Sequence, residues 1–147
     1  MSDASLNMLG MAKKAGMLEA GEESVADAVR SGKARLILSA ADASERSLRH
    51  AKTLSEERNI TYMVLPYAKA DIGAIVGRGE PGILAITQIG MAAGFAAKLD
   101  AAYPGKYTQQ LEALTEKSAR RSLRKKPTTK NRAAQANVGK GKRRMNI

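Results

Sequence analysis

Four groups of residues in this chain have types and spacings that could do chemistry. The first is Gly21-Glu22-Glu23-Ser24, with Asp27 one helical turn further on. Val25, Ala28 and Val29 recur at i, i+3 and i+4, so the segment reads as a short helix. Glu22 and Glu23 fill its first turn, Arg30 its last, and Gly32 stands just past its end. A helix start presents N–H groups with no partner inside the helix, and a glycine ahead of it lets another molecule approach them. Such an end attracts anions and hydrogen-bond acceptors.

The second group, Gly77-Arg78-Gly79-Glu80-Pro81-Gly82, spells G-x-G-x-x-G. A dinucleotide-binding turn follows a strand and opens a helix. Here a helix precedes and a strand follows, and Pro81 removes an N–H that a phosphate would use. The segment therefore reads as a helix-to-strand connection whose glycines leave room for a second contact surface.

His50 and Asp42 form the third group. His50, the single histidine, lies on an expected helix with no acid–nucleophile arrangement beside it, and reads as a surface or edge residue. Asp42 follows an apolar strand, where an α/β enzyme can carry a carboxylate. Capping of the next helix by Asp42 or Ser44 explains it without chemistry. No paired carboxylates, phosphate loop or metal-ligand spacing is found, so no catalytic residue, metal or cofactor is expected. The chain has no cysteine, which excludes disulfides, a zinc knuckle and a thiol nucleophile.

The last group is cationic: Arg120-Arg121-Ser122-Leu123-Arg124-Lys125-Lys126 and Lys140-Gly141-Lys142-Arg143-Arg144. Residues 1–103 carry 12 Lys/Arg against 12 Asp/Glu, while residues 104–147 carry 13 against 2 and hold the whole net charge of +11. The body is neutral and the tail is a polycation, which points to a polyanion and first of all to nucleic acid. Phosphate contact by Arg120, Arg121, Arg124, Lys125 and Lys126 would be blind to sequence and steeply salt-dependent. Only five aromatic residues are present, too few for a surface that stacks successive bases. No run of 18 apolar residues and no signal peptide is visible, so a cytoplasmic protein is expected, with no membrane partner.

The elements that must position these groups can be read in chain order. Residues 5–15 form a first helix ended by Gly16, and a short apolar link leads to the 21–32 helix. Residues 34–40 read as a buried strand. A helix carrying Leu48, Ala51 and Leu54 inward follows, then a strand over 60–65 stopped by Pro66. A helix ending at Gly77, a strand over 82–87 and a closing helix through Met91, Phe95 and Leu99 complete the body. Strand–helix–strand repetition with near-continuously apolar strands implies a three-layer α/β/α sandwich with a small mixed sheet. Pro104-Gly105 divides this domain, residues 1–103, from a basic extension over 104–147. Residues 108–126 are expected to be helical, and fully so only against a partner because Leu111, Leu114 and Leu123 make a thin apolar face. From Pro127 the composition cannot build a core, and disorder is expected.

Ala15-Gly16, Gly21, Ser24-Val25, Arg30-Ser31-Gly32-Lys33-Ala34 and Leu36-Ile37-Leu38 with Ala41-Asp42 resemble the L7Ae/L30e ribosomal-protein superfamily of kink-turn RNA binders. More closely, the chain resembles the small bacterial L7Ae-like members. The similarity continues through Tyr62–Leu65, Ile72-Gly73, Val76-Gly77 and Ala85-Ile86-Thr87, spans about residues 5–100, and leaves out the tail. It implies the same sandwich, a structured RNA as partner, and no enzymatic activity or small-molecule substrate.

In that family RNA is gripped by the helix start after the glycine and by the loop before the last strand. Carried over, the expected contacts are Gly21, Glu22, Glu23, Ser24 and Asp27, with Arg78, Gly79, Glu80 and Pro81 as the second wall. Lys14 and Lys33 are added as flanking cations. RNA is read at opened, irregular sites because an A-form duplex hides its base edges, and a carboxylate such as Glu23 suits guanine N–H groups. The family's asparagine–glutamate pair and its lysine one turn on are replaced here by Glu23, Ser24 and Asp27. Ribosomal RNA and the ribosome are the partners the resemblance offers. The alternative is a protein-interaction module whose acidic helix start docks a protein while the tail alone touches RNA.

Overall fold

A computed structural model describes residues 4–77 and 79–125, with residues 122–125 as backbone. The chain order is α1 (Ala4–Lys14), β1 (Leu18–Ala20), α2 (Glu22–Arg30), β2 (Leu36–Ser39), α3 (Glu45–Glu57), β3 (Thr61–Val64), α4 (Lys69–Val76), β4 (Ile83–Ile86), α5 (Ile89–Ala102) and α6 (Thr108–Lys125). The α/β fold with a small mixed sheet expected from the sequence is what forms. The expectation of three strands is corrected to four. The link at residues 18–20 is β1, a strand too short to show an alternation and recruited by antiparallel pairing to β4.

The strands lie in the order β1-β4-β2-β3. β2 runs parallel to β3, with Leu36 beside Thr61 and Ser39 beside Val64, and antiparallel to β4, with Leu36 beside Ile86 and Ser39 beside Ile83. β1, β2 and β3 each lead directly into α2, α3 and α4. All three helices therefore start at one end of the sheet, the end where β4 begins.

The two-residue period of the strands divides the core in two. Leu36, Leu38, Met63, Leu84 and Ile86 face a cluster built with Leu6 and Leu9 of α1, Ile72 and Val76 of α4, and Phe95 and Leu99 of α5. Ile37, Ile83 and Ala85 point the other way, onto Val25 and Val29 of α2 and Ala51 and Leu54 of α3. Ser39 is fully buried between these strands, and its hydroxyl is paired with the Tyr62 hydroxyl at 2.9 Å. Tyr107 and Leu114 are buried in the larger cluster, and the Tyr107 hydroxyl donates to the carbonyl of Val64 on the edge strand (2.8 Å). One compact unit ends at Leu114, and the described residues beyond it, from Thr115 to Lys125, are helical.

Candidate nucleic-acid interface

The interface begins with a backbone feature. Gly21 has φ 96° and ψ 154°, a conformation that costs any residue with a Cβ on the order of 1–3 kcal/mol. Its N–H donates to the carbonyl of Ile83 (3.0 Å), and its own carbonyl accepts from Val25 (3.0 Å) to close the first turn of α2. Gly21, the cap residue, offers no side chain to this helix, and among the described residues no side chain accepts from its first N–H groups. The N–H groups of Glu22, Glu23 and Ser24 thus have no partner within the helix.

The Gly21–Ile83 bond sets the helix start beside the loop that enters β4. Ala20, Gly21, Gly79, Glu80 and Pro81 line one open cleft of about 390 Å³. Two segments far apart in sequence, both expected as RNA contacts, are walls of the same recess. Gly73, in the middle of α4, makes that placement possible. A Cβ at Gly73 would lie 1.7 Å from the carbonyl oxygen of Gly79, so the loop backbone rests directly on the helix. The sequence signal was a glycine inside a helical pattern, which often marks a close backbone approach.

Glu23 and Asp27, exposed and four residues apart, lie on one face of α2, and Ser24 is half-buried beside them. Glu80 is exposed and Pro81 is buried. Glu22 is differently engaged. Its Oε2 accepts from the Ser47 hydroxyl at 2.7 Å, and its Oε1 lies 2.8 Å from His50 Nδ1. The hydrogen bond from Ser47 and then that from His50 hold the Glu22 carboxyl below its usual range, with Arg46 adding to the effect. His50, expected as a surface or edge residue with no acid–nucleophile arrangement beside it, is half-buried with its Nδ1 against this carboxylate. Of the residues expected as contacts, Gly21, Gly79, Glu80 and Pro81 line the cleft, and Glu22, Glu23, Ser24 and Asp27 do not.

Asp42 also differs from its expected place. Ser44 caps α3, accepting from the Ser47 N–H at 3.1 Å. Asp42 caps α4, its Oδ1 accepting from the Lys69 N–H at 2.8 Å. The bond from the Ala41 N–H to the Tyr67 carbonyl (2.8 Å) brings the two loops together.

Lys14 and Lys33 are not near the cleft. Lys14 ends α1 and leads to Met17, whose carbonyl accepts from Thr87, and Lys33 leads to Arg35, whose N–H donates to Ile86. Both lie toward the finish of β4, about 10 Å of strand away from Ile83. Arg120 and Arg121 are exposed on α6. Arg78, Lys126, the side chains of Arg124 and Lys125, and the expected disorder from Pro127 lie outside the described residues. Among the described residues, no group of three His, Cys, Asp or Glu is placed to hold a metal ion, and no helix is long and apolar enough to cross a membrane.

A helix start after Gly21 beside a glycine-bearing loop, on a mixed sheet between helical layers, makes the molecule a small α/β/α sandwich with a cleft at one end of its sheet. The chain belongs to the ribosomal protein L7Ae/L30e/S12e/Gadd45 family, whose model matches residues 3–93. A protein of unknown function from Bacillus halodurans is similar in structure, with 25% identity and a TM-score of 0.62, over 67% of this chain and 99% of that one. A 15.5 kD RNA-binding protein of Giardia lamblia has the same fold, with 18% identity and a TM-score of 0.53, over 69% of this chain and 92% of that one. No curated protein matches the sequence.

Proposed function

We propose that this chain is a non-enzymatic cytoplasmic RNA-binding protein. It takes structured RNA, of the kink-turn kind or another opened helix, into the cleft between Gly21 and Gly79–Pro81. The observation that carries this reading is the meeting of the uncapped α2 start with the Gly79–Pro81 loop in one recess. Family membership and an RNA-binding protein of the same fold support RNA as the ligand. In this reading Gly21 admits the ligand, the α2 N–H groups meet acceptors on it, Glu23 and Ser24 contact base edges, and Arg78 to Pro81 cover an extruded nucleotide. Arg120, Arg121, Arg124, Lys125 and Lys126 add salt-dependent attraction to phosphates, whatever the sequence. Ribosomal RNA, and the ribosome as its setting, are the partners to try first.

The test compares a kink-turn duplex with a plain duplex, using the full chain and a chain cut after Lys125. Cutting at residue 104 would strip Tyr107 and Leu114 from the core and confuse binding with unfolding. The shortened chain should retain a preference for the kink-turn and bind both RNAs more weakly, with a shallower salt dependence, because Lys126 and the cations after it are gone. Equal affinities at every salt concentration, with residues 19–27 and 79–82 unperturbed in nuclear magnetic resonance spectra, would refute the cleft as the site.

Exposed carboxylates at Glu23, Asp27 and Glu80 favour a second reading, in which this face docks a basic protein and only the tail touches RNA. Asp27→Lys separates the two. Tighter RNA binding supports the first reading, and loss of a protein partner with RNA binding unchanged supports the second.

A further inference from the structure

We infer that Ser47 and His50 are positioning residues for the α2 start, holding the Glu22 carboxylate against α3 so that the N–H groups of that start remain open to RNA. The inference rests on the cleft being the RNA site. An acidic side chain in the first turn of a helix is drawn to that helix's own unpaired N–H groups, which it can occupy in place of a ligand. Glu22 stands in that turn, directly after Gly21, yet its carboxylate is bonded to Ser47 and His50 and to none of the α2 N–H groups. The reason is visible across the α2–α3 contact. Both carboxylate oxygens are taken, Oε2 by the Ser47 hydroxyl at 2.7 Å and Oε1 by His50 Nδ1 at 2.8 Å. Neither contact is incidental to α3. Ser47 sits in its first turn with its N–H bonded to Ser44, and His50 follows three residues later on the same face.

Glu22 is then a strut and not a reader. Reading of base edges passes to Glu23 and Ser24, which have no such partners across to α3. The arrangement also removes a like charge from the path of the phosphates, since Glu22 faces His50 and Arg46.

The experiment measures affinity of the full chain for a kink-turn duplex in four variants. His50→Ala frees Oε1 of Glu22, leaving only the Ser47 hydroxyl on Oε2, and should weaken binding about fivefold, the size of a first-turn charge interaction. Glu22→Ala alone should bind as tightly as the wild type. Adding Glu22→Ala to His50→Ala should restore the lost affinity, which a merely structural role for His50 would not allow. His50→Asn, which keeps a donor near the Nδ1 position, should bind nearly as the wild type does and stands in if the alanine variant does not fold. Loss of binding in Glu22→Ala, or failure of the double variant to recover, would overturn the inference. A wild type that binds RNA without perturbing residues 19–27 would instead remove the cleft reading itself.

Discussion

The starts of α2 and α4 lie at the same end of the same sheet and are treated in opposite ways. The α4 start is closed by Asp42, a side chain from another loop, and α3 beside it is closed by Ser44. The α2 start has only Gly21 before it, no side-chain cap, and an acidic neighbour held away by α3. A protein that needs its helix ends satisfied for stability supplies caps. The α2 end opens beside a cleft instead. In the proposed reading, the asymmetry between the two ends lies in backbone donors as much as in side chains.

The sharpest way to break the contrast is through Gly73. Gly73→Ala drives a Cβ into the Gly79 carbonyl, and the loop must move or α4 must bend. We expect a loss of about 3 kcal/mol in denaturant unfolding, at the upper end of overpacking effects. RNA binding should fall even at temperatures where the variant is folded, because the second wall has shifted. Unchanged stability would mean that the loop does not rest on α4.

Gly21→Ala meets no neighbouring atom, so its effect isolates backbone conformation. At φ 96° we expect about 2 kcal/mol of destabilisation, read as a lower midpoint in thermal unfolding. Asp42→Ala probes the closed end and should cost about 1 kcal/mol, as removal of a helix cap does. Amide exchange should accelerate at Lys69 and leave Glu22–Ser24 unaltered. Faster exchange at α3 instead would place the cap on the wrong helix.

The smallest effect sharpens the comparison through pH. Glu22 has a folded-state value lowered from the ordinary 4.5, so its ionised form stabilises the fold above that pH. The contribution fades as pH falls through the lowered value. The side chain is 42% exposed, so solvent screens the effect. The stability difference between wild type and Glu22→Gln should be present at pH 7 and vanish in strong acid. A difference that persists there would show that the clamp does not depend on the charge.

Much of the fold was legible because its signals are local. The apolar spacing of Val25, Ala28 and Val29, the Ser44 cap and the terminators Gly77 and Pro66 each act within one or two turns of chain. β1 was not legible, since three residues show no period and their conformation comes from pairing with β4. Asp42 was read as a cap of the next helix because sequence shows neighbours only, while its partner Lys69 opens α4, 27 residues away. The walls of the candidate site came from family likeness. Their meeting was not written in either segment, because the Gly21–Ile83 bond and the Gly73–Gly79 contact exist only once the sheet has formed.

The amino-acid order alone determined which stretches bury an apolar face, where each main helix ends, and that the net positive charge is confined to the tail. These follow from side-chain periodicity, backbone freedom and charge, which need no distant neighbour. The tertiary structure decided which helix Asp42 caps, that Lys14 and Lys33 stand apart from the cleft, and that Glu22 turns to His50 and Ser47. Those outcomes rest on hydrogen bonds a few ångströms long between residues far apart in sequence, and only a packed sheet brings such groups within reach.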